Sequence, residues 1–580
     1  MSSLSKLQAA KSLEDLAAIL GYKPAALAFL LYHLPIAQKY AAFTIPKRDG
    51  TPREILAPTP KLKLLQRRLA NVLYLALADI DKAGSPRRHL SHGFAKNLSI
   101  VTNANVHRGR RYVLNFDLKD FFPSINFGRV RGMFIKDKRF ALDPKIATLI
   151  AQIACHDDVL PQGSPCSPVI SNVIGHLLDV RLVRFAKAQK CTFSRYADDI
   201  TFSTNAKLFP ADAAAPVAGS EHEWALGAAL LKEIDKAGFA INPAKTRMQY
   251  RGSRQVTTGL LVNNKPNILP EYYRTVRAMC WSLFHLGSYY RMVPAALAGG
   301  KPGDPAVKET ATSLAILQGM LGHIYHVRNQ VDQRSSAEKK AEKTATATRK
   351  LYHRFLFYRN FVVAPKPLII PEGKTDPIYL RAAIEKLVAF HPKLGMMDNG
   401  KFRPTLKFMN FSSTVHDVLQ LGNGTGDLFH FIRRYSDNLK PYQHRPLPHP
   451  VIVLIDNDDG AKEIFGAAKG LGATGISLKS TDLFYRLGPN LYLIKTPEIG
   501  VTGKSCIEDL FDPSLLKTEI DGKVFDPYKK HNEPGKYGKQ RFAEKVVQPH
   551  KDVIDFSGFE ALLVRITAVL DDYTVNPPPQ

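Results

Sequence analysis

At 580 residues the chain exceeds what one ordinary hydrophobic core accommodates, and its 45% apolar and 9% aromatic content excludes an unfolded polar polymer, so several folded domains are expected. Lysine and arginine outnumber aspartate and glutamate 80 to 52, a formal charge of +28, which points to a polyanionic partner. Five scattered cysteines without a C-x-x-C pair suggest neither a zinc knuckle nor a disulfide framework, and the lack of any run of ~18 apolar residues or of a signal-peptide core makes a cytoplasmic protein with no membrane partner the expectation.

Residues 1–40 read as an N-terminal helical cap, because Leu13, Leu16, Ala17 and Leu20 recur at helical spacing and Ala26 to Leu34 forms a second apolar run. Two short strand-like pieces, residues 43–47 and 53–56, flank Asp49-Gly50, a hairpin signal, and carry Lys47 and Arg53. A helix is expected over residues 62–77, and apolar strands alternating with helices continue to about residue 265. Residues 266–330 read as two helices, 272–284 and 313–324, and residues 331–365 as a connector with the charged run 335–343. Beyond it, residues 367–370 and 451–455 have the unbroken apolar character of buried parallel strands, giving a second α/β domain over 366–580.

Two carboxylate clusters carry the chemistry. The first joins Asp117, at the end of the apolar strand 113–117, to Asp198 and Asp199, at the tip of a hairpin-like segment 195–202. Hard oxygen ligands on rigid strands are what a pair of divalent ions needs to activate a 3′-hydroxyl and stabilise a leaving pyrophosphate. A lone Tyr-x-Asp-Asp is as compatible with a turn, so the neighbouring pieces decide.

Asp117 to Phe122, Leu160-Pro161-Gln162-Gly163-Ser164-Pro165, Tyr196 to Asp199 and Gly238 to Lys245 follow in an order that resembles the palm of reverse transcriptases. The resemblance implies a right-hand polymerase, with fingers and palm over 41–265 and a helical thumb over 266–330. It also implies two Mg²⁺ ions on Asp117, Asp198 and Asp199, and dNTPs as substrates. Lys47 and Arg53 would grip the triphosphate, Phe122 would exclude a 2′-hydroxyl, Gln162 and Gly163 would shape the nucleotide pocket, and Lys245 would meet charge on the pyrophosphate. Whether Phe121 or Phe122 packs inward stays open at this stage. Asn103-Ala104-Asn105-Val106-His107 and Val256-Thr257-Thr258-Gly259 narrow the resemblance to retrons, the second element only approximately. This implies recognition of a cognate non-coding RNA through Asn103, His107, Arg247, Arg251, Arg254, Thr257, Thr258 and Gly259. It implies in turn priming from a guanosine 2′-hydroxyl of that RNA and a branched RNA–DNA product, msDNA.

The second cluster begins with Glu372, in Glu372-Gly373-Lys374-Thr375-Asp376 at the end of an apolar strand. Asp456 and Asp458 follow another strand at alternate positions, which in extended chain point the same way. A strand-end glutamate followed by Asp-x-Asp resembles the Toprim pattern, and implies a Rossmann-like Toprim domain. One or two Mg²⁺ would be held by Glu372, Asp376, Asp456, Asp458 and Glu508, with Glu372 as acid/base, Asp459 and Asp509 as neighbouring alternatives and Lys539 as a transition-state stabiliser. Together the resemblances imply an α/β multidomain retron enzyme whose fused effector cleaves nucleic acid in anti-phage defence, with a homo-oligomer among its conceivable states. The alternatives are a mobile-element reverse transcriptase and a non-catalytic Toprim that senses or assembles.

Overall fold

The computed structural model describes residues 1–46, 51–83, 90–220, 222–295, 298–300, 304–332, 334, 338, 345–422, 424–527 and 533–579. The chain divides into two compact units, one of Met1–Arg274, Met292–Glu309 and His326–Ser335, the other of Thr275–Arg291, Thr310–Tyr325 and Ser336–Gln580.

In the first unit, α1 (Ser3–Ala9) and α2 (Leu13–Leu20) start at serine caps, and α2 closes a capping box between Ser12 and Asp15 and ends at left-handed Gly21. Strands β1 (Tyr40–Pro46) and β2 (Pro52–Pro58) pair antiparallel from Tyr40 opposite Pro58 to Pro46 opposite Pro52. Their connecting turn and Lys47 lie outside the described residues. Helix α3 (Pro60–Ala83) buries Leu62, Leu65, Leu69 and Leu73, a one-sided stripe worth roughly 1.5–3 kcal/mol for each fully buried leucine.

After α4 (Ile100–Val106) come β3 (Tyr112–Leu118), α5 (Phe127–Lys136), α6 (Pro144–Ala154), α7 (Ser167–Ala188), β4 (Thr192–Tyr196), β5 (Asp199–Thr204), α8 (Ala228–Asp235) and β6 (Ile241–Tyr250). The four strands form one antiparallel sheet in the order β4-β5-β3-β6. Its register sets Asp117 opposite Asp199 on one side and Asn242 on the other, with an irregularity between Asn115 and Asp117. A continuous core from Leu7 to Phe239 includes Leu114, Phe116, Ile150 and Leu178. A short hairpin, β7 (Val256–Thr257) with β8 (Leu260–Leu261), precedes α9 (Pro270–Leu286) and α10 (Leu314–Val331), both of which the division between units cuts.

Of the charged run 335–343 only Glu338 lies among the described residues. The later part of the stretch expected as a connector is helical: α11 (Ala347–Phe357), capped by Thr346, buries Tyr352, Phe355, Leu356 and Phe357. Alternating basic and aromatic residues hide that apolar face from a composition-based reading.

The second unit contains β9 (Leu368–Pro371), α12 (Asp376–Lys386), β10 (Lys407–Phe408), α13 (Thr425–Leu439), β11 (Val451–Ile455), α14 (Lys462–Lys469), β12 (Tyr485–Arg486), β13 (Leu491–Lys495) and α15 (Glu560–Val575). One five-stranded sheet runs β10-β9-β11-β13-β12, parallel except for the β12 edge. Strands β9, β11 and β13 are buried throughout, as their unbroken apolar sequences require. The chain leaves β9 toward β10 on one side and reaches β11 on the other, so order reverses at their carboxyl ends, where open α/β sheets bind ligands. Among the described residues no single helix is long and apolar enough to cross a membrane.

Candidate active sites

The β4–β5 hairpin closes through a two-residue turn, Ala197-Asp198, with Tyr196 opposite Asp199. Ala197 takes φ +58°, and Gly93 lies so close that a Cβ there would sit 2.5 Å from the Ala197 nitrogen. The turn is held from two directions. Leu118 N–H donates to the Asp198 carbonyl at 3.1 Å, and Arg195 Nη1 donates to the Ala197 carbonyl at 2.9 Å. Arg195 is itself 0% exposed and meets Asp179 of α7 through Nε (2.6 Å) and Nη2 (2.8 Å). The sequence reading missed this pair, because the two residues stand 16 apart and each looks like a surface charge.

Asp117, Asp198 and Asp199 thus come to one end of the sheet's two central strands. Burial, reinforced by Asp198 and then Asp117, pushes the Asp199 carboxyl up to about 7, and burial with Asp117 raises Asp198. Lys245 on β6 pairs with Asp117 Oδ2, and that bond together with the neighbouring aspartates raises its ammonium above the usual lysine range. Among the described residues no three such groups are closed to metal-ligand spacing; an ammonium sits with the carboxylates instead. Asp117 is buried, Asp198 half-buried and Asp199 open to the surface, and mutually repelling carboxylate oxygens that an ion can reach are the donor set that Mg²⁺ suits, so the residues fit the ion.

Phe121 is the inward ring, 4% exposed and stacked on Phe239 at 5.7 Å, whereas Phe122 is half-buried and tilted against Phe94 at 6.1 Å. The Gln162 carbonyl accepts from Leu56 N–H of β2 at 2.9 Å. Gly163 has φ +120°, and a Cβ there would lie 2.7 Å from the Leu56 oxygen, so this approach of the loop to the hairpin requires glycine. Arg53 is exposed on β2.

Asn103 and His107, expected as RNA contacts, face the palm instead. They are 1% and 0% exposed; His107 Nδ1 bonds Ser203 Oγ and its Nε2 bonds Ser194 Oγ, both at 2.7 Å, and Ser194 Oγ donates to Asn103 Oδ1 at 2.6 Å. A helix of period 3.6 puts positions i and i+4 on one face, and here that face is α4's buried one. Asn105 and Arg108 are the exposed members of the same segment. The structure does bring both retron-like elements together: Thr258, at φ +48°, donates to the Ile100 carbonyl of α4 at 3.2 Å. Thr257 is buried and Gly259 exposed, while Arg247 and Arg251 are exposed and Arg254 pairs with Glu271 at 2.6 Å.

In the second unit Glu372 directly follows β9 and Asp456 directly follows β11. Asp456 N–H donates to Glu372 Oε2 at 3.1 Å, and Asp456 Oδ1 accepts from Ile507 N–H at 2.9 Å. Asp376 begins α12 and accepts from Gly373 N–H at 2.8 Å. Asn457, between Asp456 and Asp458, is buried, its N–H donating to Thr496 Oγ1 at 2.9 Å. Lys539 Nζ lies 2.8 Å from Glu508 Oε2 and 3.8 Å from Asp456 Oδ2.

Burial, with Asp376, Glu372 and Glu508, pushes Asp456 up to about 8; burial with Glu508 and Glu372 pushes Asp376 up to about 6, and burial raises Glu372. Burial works against the Lys539 ammonium, yet Glu508 and Asp456 hold it above the usual lysine value. Among the described residues nothing hydrogen-bonds Glu508 Oε1, a buried oxygen that a hard cation would satisfy, so this cluster too fits Mg²⁺. Asp458 instead accepts from Gly460 N–H at 2.8 Å. The alternatives are already engaged: Asp459 pairs with Lys504 at the surface and Asp509 caps Cys506 N–H.

The family described as Reverse transcriptase (RNA-dependent DNA polymerase) matches residues 45–270. The chain is 37% identical over 283 residues to the Retron Mx65 reverse transcriptase of Myxococcus xanthus, covering 46% of this chain and 61% of that one. It is 33% identical over 356 residues to the Retron Mx162 reverse transcriptase of the same organism, covering 58% and 68%. To the Retron Ec86 reverse transcriptase of Escherichia coli it is 32% identical over 250 residues, covering 42% and 70%. Among solved structures, apo telomerase from Candida tropicalis matches 55% of this chain and 61% of its own at 14% identity and a TM-score of 0.31.

Proposed function

Because this chain belongs to the retron reverse transcriptases, we propose that it copies part of a cognate structured RNA into branched single-stranded DNA, and that its second unit is a fused Toprim effector that cleaves nucleic acid in anti-phage defence. The observation that carries the polymerase reading is the meeting of Asp117 with Asp198 and Asp199 at one end of the palm sheet's central strands, with the family match around it.

In this reading Asp117, Asp198 and Asp199 hold two Mg²⁺ ions, which supply activation of the attacking hydroxyl and charge stabilisation on the leaving pyrophosphate. Lys245 exchanges its partner Asp117 for the phosphates of the incoming dNTP. Phe122 stands where a 2′-hydroxyl would press, Gln162 and Gly163 bound the nucleotide pocket, and Arg53 and Lys47 draw the triphosphate in. RNA is held by Arg247, Arg251, Arg254, Thr258 and Gly259, joined by the exposed Asn105 and Arg108, while Asn103, His107 and Thr257 fix the shape of that surface from beneath. Priming comes from a guanosine 2′-hydroxyl of the RNA.

The effector reading rests on Glu372, Asp376, Asp456 and Glu508 converging at the reversal of strand order. These four residues, with Asp458 adjoining, hold one or two Mg²⁺, Glu372 carries a proton at the scissile phosphate, and Lys539 stabilises negative charge there. The Lys539 ion pairs also suit a second reading, a non-catalytic module that senses the hybrid or assembles copies of the chain.

Both halves are tested with full-length protein and its RNA. Asp198→Asn is expected to cut dNTP incorporation by more than about a hundredfold, since even outer partners of metal ligands cost 10–100-fold. Glu372→Gln should leave incorporation intact and abolish cleavage of RNA or DNA by protein freed of its hybrid. Wild-type protein that cleaves neither substrate, or cleavage unaffected by Glu372→Gln, would leave the sensing module as the correct account.

A further inference from the structure

Helices α11 and α13 of the second unit line a cavity of about 410 Å³, a size typical of small-molecule sites. Its walls carry the basic side chains Arg349, Lys350, Arg354 and Arg434 against a single acid, Asp437. That acid is already paired with Lys440 at 2.7 Å, so it does little to neutralise the cavity. Arg349 is steadied by Asp417, at 3.6 Å, which fixes its guanidinium at the wall. Among the described residues none of Lys350, Arg354 and Arg434 has a carboxylate in ion-pair reach.

Lys350 and Arg354 stand one helical turn apart, an arrangement that costs helix stability unless an anion meets it. His353 lies among the three arginines and stacks on Phe357 at 6.3 Å. Burial together with Arg349, Arg354 and Arg434 pushes its pKa down to about 4, so at neutral pH the imidazole is uncharged and able both to donate and to accept. Phe357, Phe431 and Tyr442, all buried, give the cavity an aromatic floor beneath the basic rim.

We propose that this cavity binds a nucleoside phosphate, the phosphate held by Arg354, Arg434 and Lys350 and the base against the aromatic floor. The phosphate comes either from a free nucleotide or from the terminal nucleotide of a strand; the chemistry of recognition is the same.

Equilibrium binding to the full-length protein in EDTA, which silences metal-dependent capture of nucleotides elsewhere, separates the sources. The probes are AMP, inorganic phosphate and a short single strand with or without a 5′-phosphate. The expected result is saturable binding of AMP or of the phosphorylated strand only, competed by inorganic phosphate. Arg354→Gln and Arg434→Gln should each weaken it roughly tenfold or more, the loss of one charge-assisted contact. Both side chains are exposed, so neither change opens the core, and Arg433→Gln, on the same helix outside the cavity, should leave binding unchanged. AMP saturation assigns a free nucleotide; saturation by the phosphorylated strand alone assigns a strand end. The proposal is overturned if no probe saturates at ~1 mM, near the weak limit of specific binding, if Arg354→Gln and Arg434→Gln bind as wild type does, or if Arg433→Gln weakens binding as much as Arg434→Gln.

Discussion

His107 shows how one buried ring can make the palm sensitive to acid. Both of its nitrogens are engaged by Ser203 and Ser194, and burial, aided by Arg110 and His92, pushes its pKa down to about 3 from an ordinary 6.5. Between those values the unfolded chain binds a proton that the folded chain refuses, so stability rises with pH across that window. The contribution is complete above about 6.5 and is lost as pH falls toward 3, at up to about 1.4 kcal/mol per pH unit. His107→Gln removes the titration, so thermal melts of wild type and variant should draw together as pH drops from 7.5 to 5. A gap in melting temperature that stays constant over that range would contradict this. The same residue marks where sequence stopped being informative. Asn103 and His107 lie four apart whether their face meets RNA or the palm sheet, and only tertiary packing decides. Phe121 and Phe122 posed the same ambiguity, resolved by the stacking of Phe121 on Phe239.

The β4–β5 hairpin owes its shape to more than its own strands. A left-handed Ala197 is uncommon, and the Arg195–Asp179 pair reaches under it to hold its carbonyl. Arg195→Leu leaves Asp179 as an unpaired charge 2% exposed, and should destabilise the first unit by about 3–5 kcal/mol. Adding Asp179→Leu removes that stranded charge, so the double variant should regain part of the loss in urea melts. If the double variant is no more stable than Arg195→Leu, the pair does not act as a unit. The strand-end positions of Asp117 and Asp199 were legible from sequence because apolar runs adjoin both residues, and the register then sets Asp117 opposite Asp199. The Arg195–Asp179 clamp was not, since nothing local distinguishes a buried ion pair from two solvated charges. Helix α11 was hidden likewise: Tyr352, Phe355, Leu356 and Phe357 pack inward while Arg349, Lys350 and Arg354 dominate the composition.

Across the whole molecule the excess of 28 positive charges sets how strongly any nucleic acid is held and how steeply salt releases it. Each phosphate of a single strand neutralised by lysine or arginine contributes about −0.7 to the slope of log affinity against log salt. In the RNA complex proposed above, the exposed Arg247, Arg251, Arg254 and Arg108 of the first unit would neutralise four phosphates. The slope for the cognate RNA should then be about −3 or steeper. Replacing Arg247, Arg251 and Arg254 together by alanine should flatten it by about 2 and weaken all RNAs alike, because phosphate contacts carry no sequence information. Filter binding across a potassium chloride series measures both quantities. A slope near zero would mean that shape and base contacts hold the RNA and that the charge serves another partner. An unchanged slope in the triple variant would move the backbone contacts away from β6 and the β7–β8 hairpin.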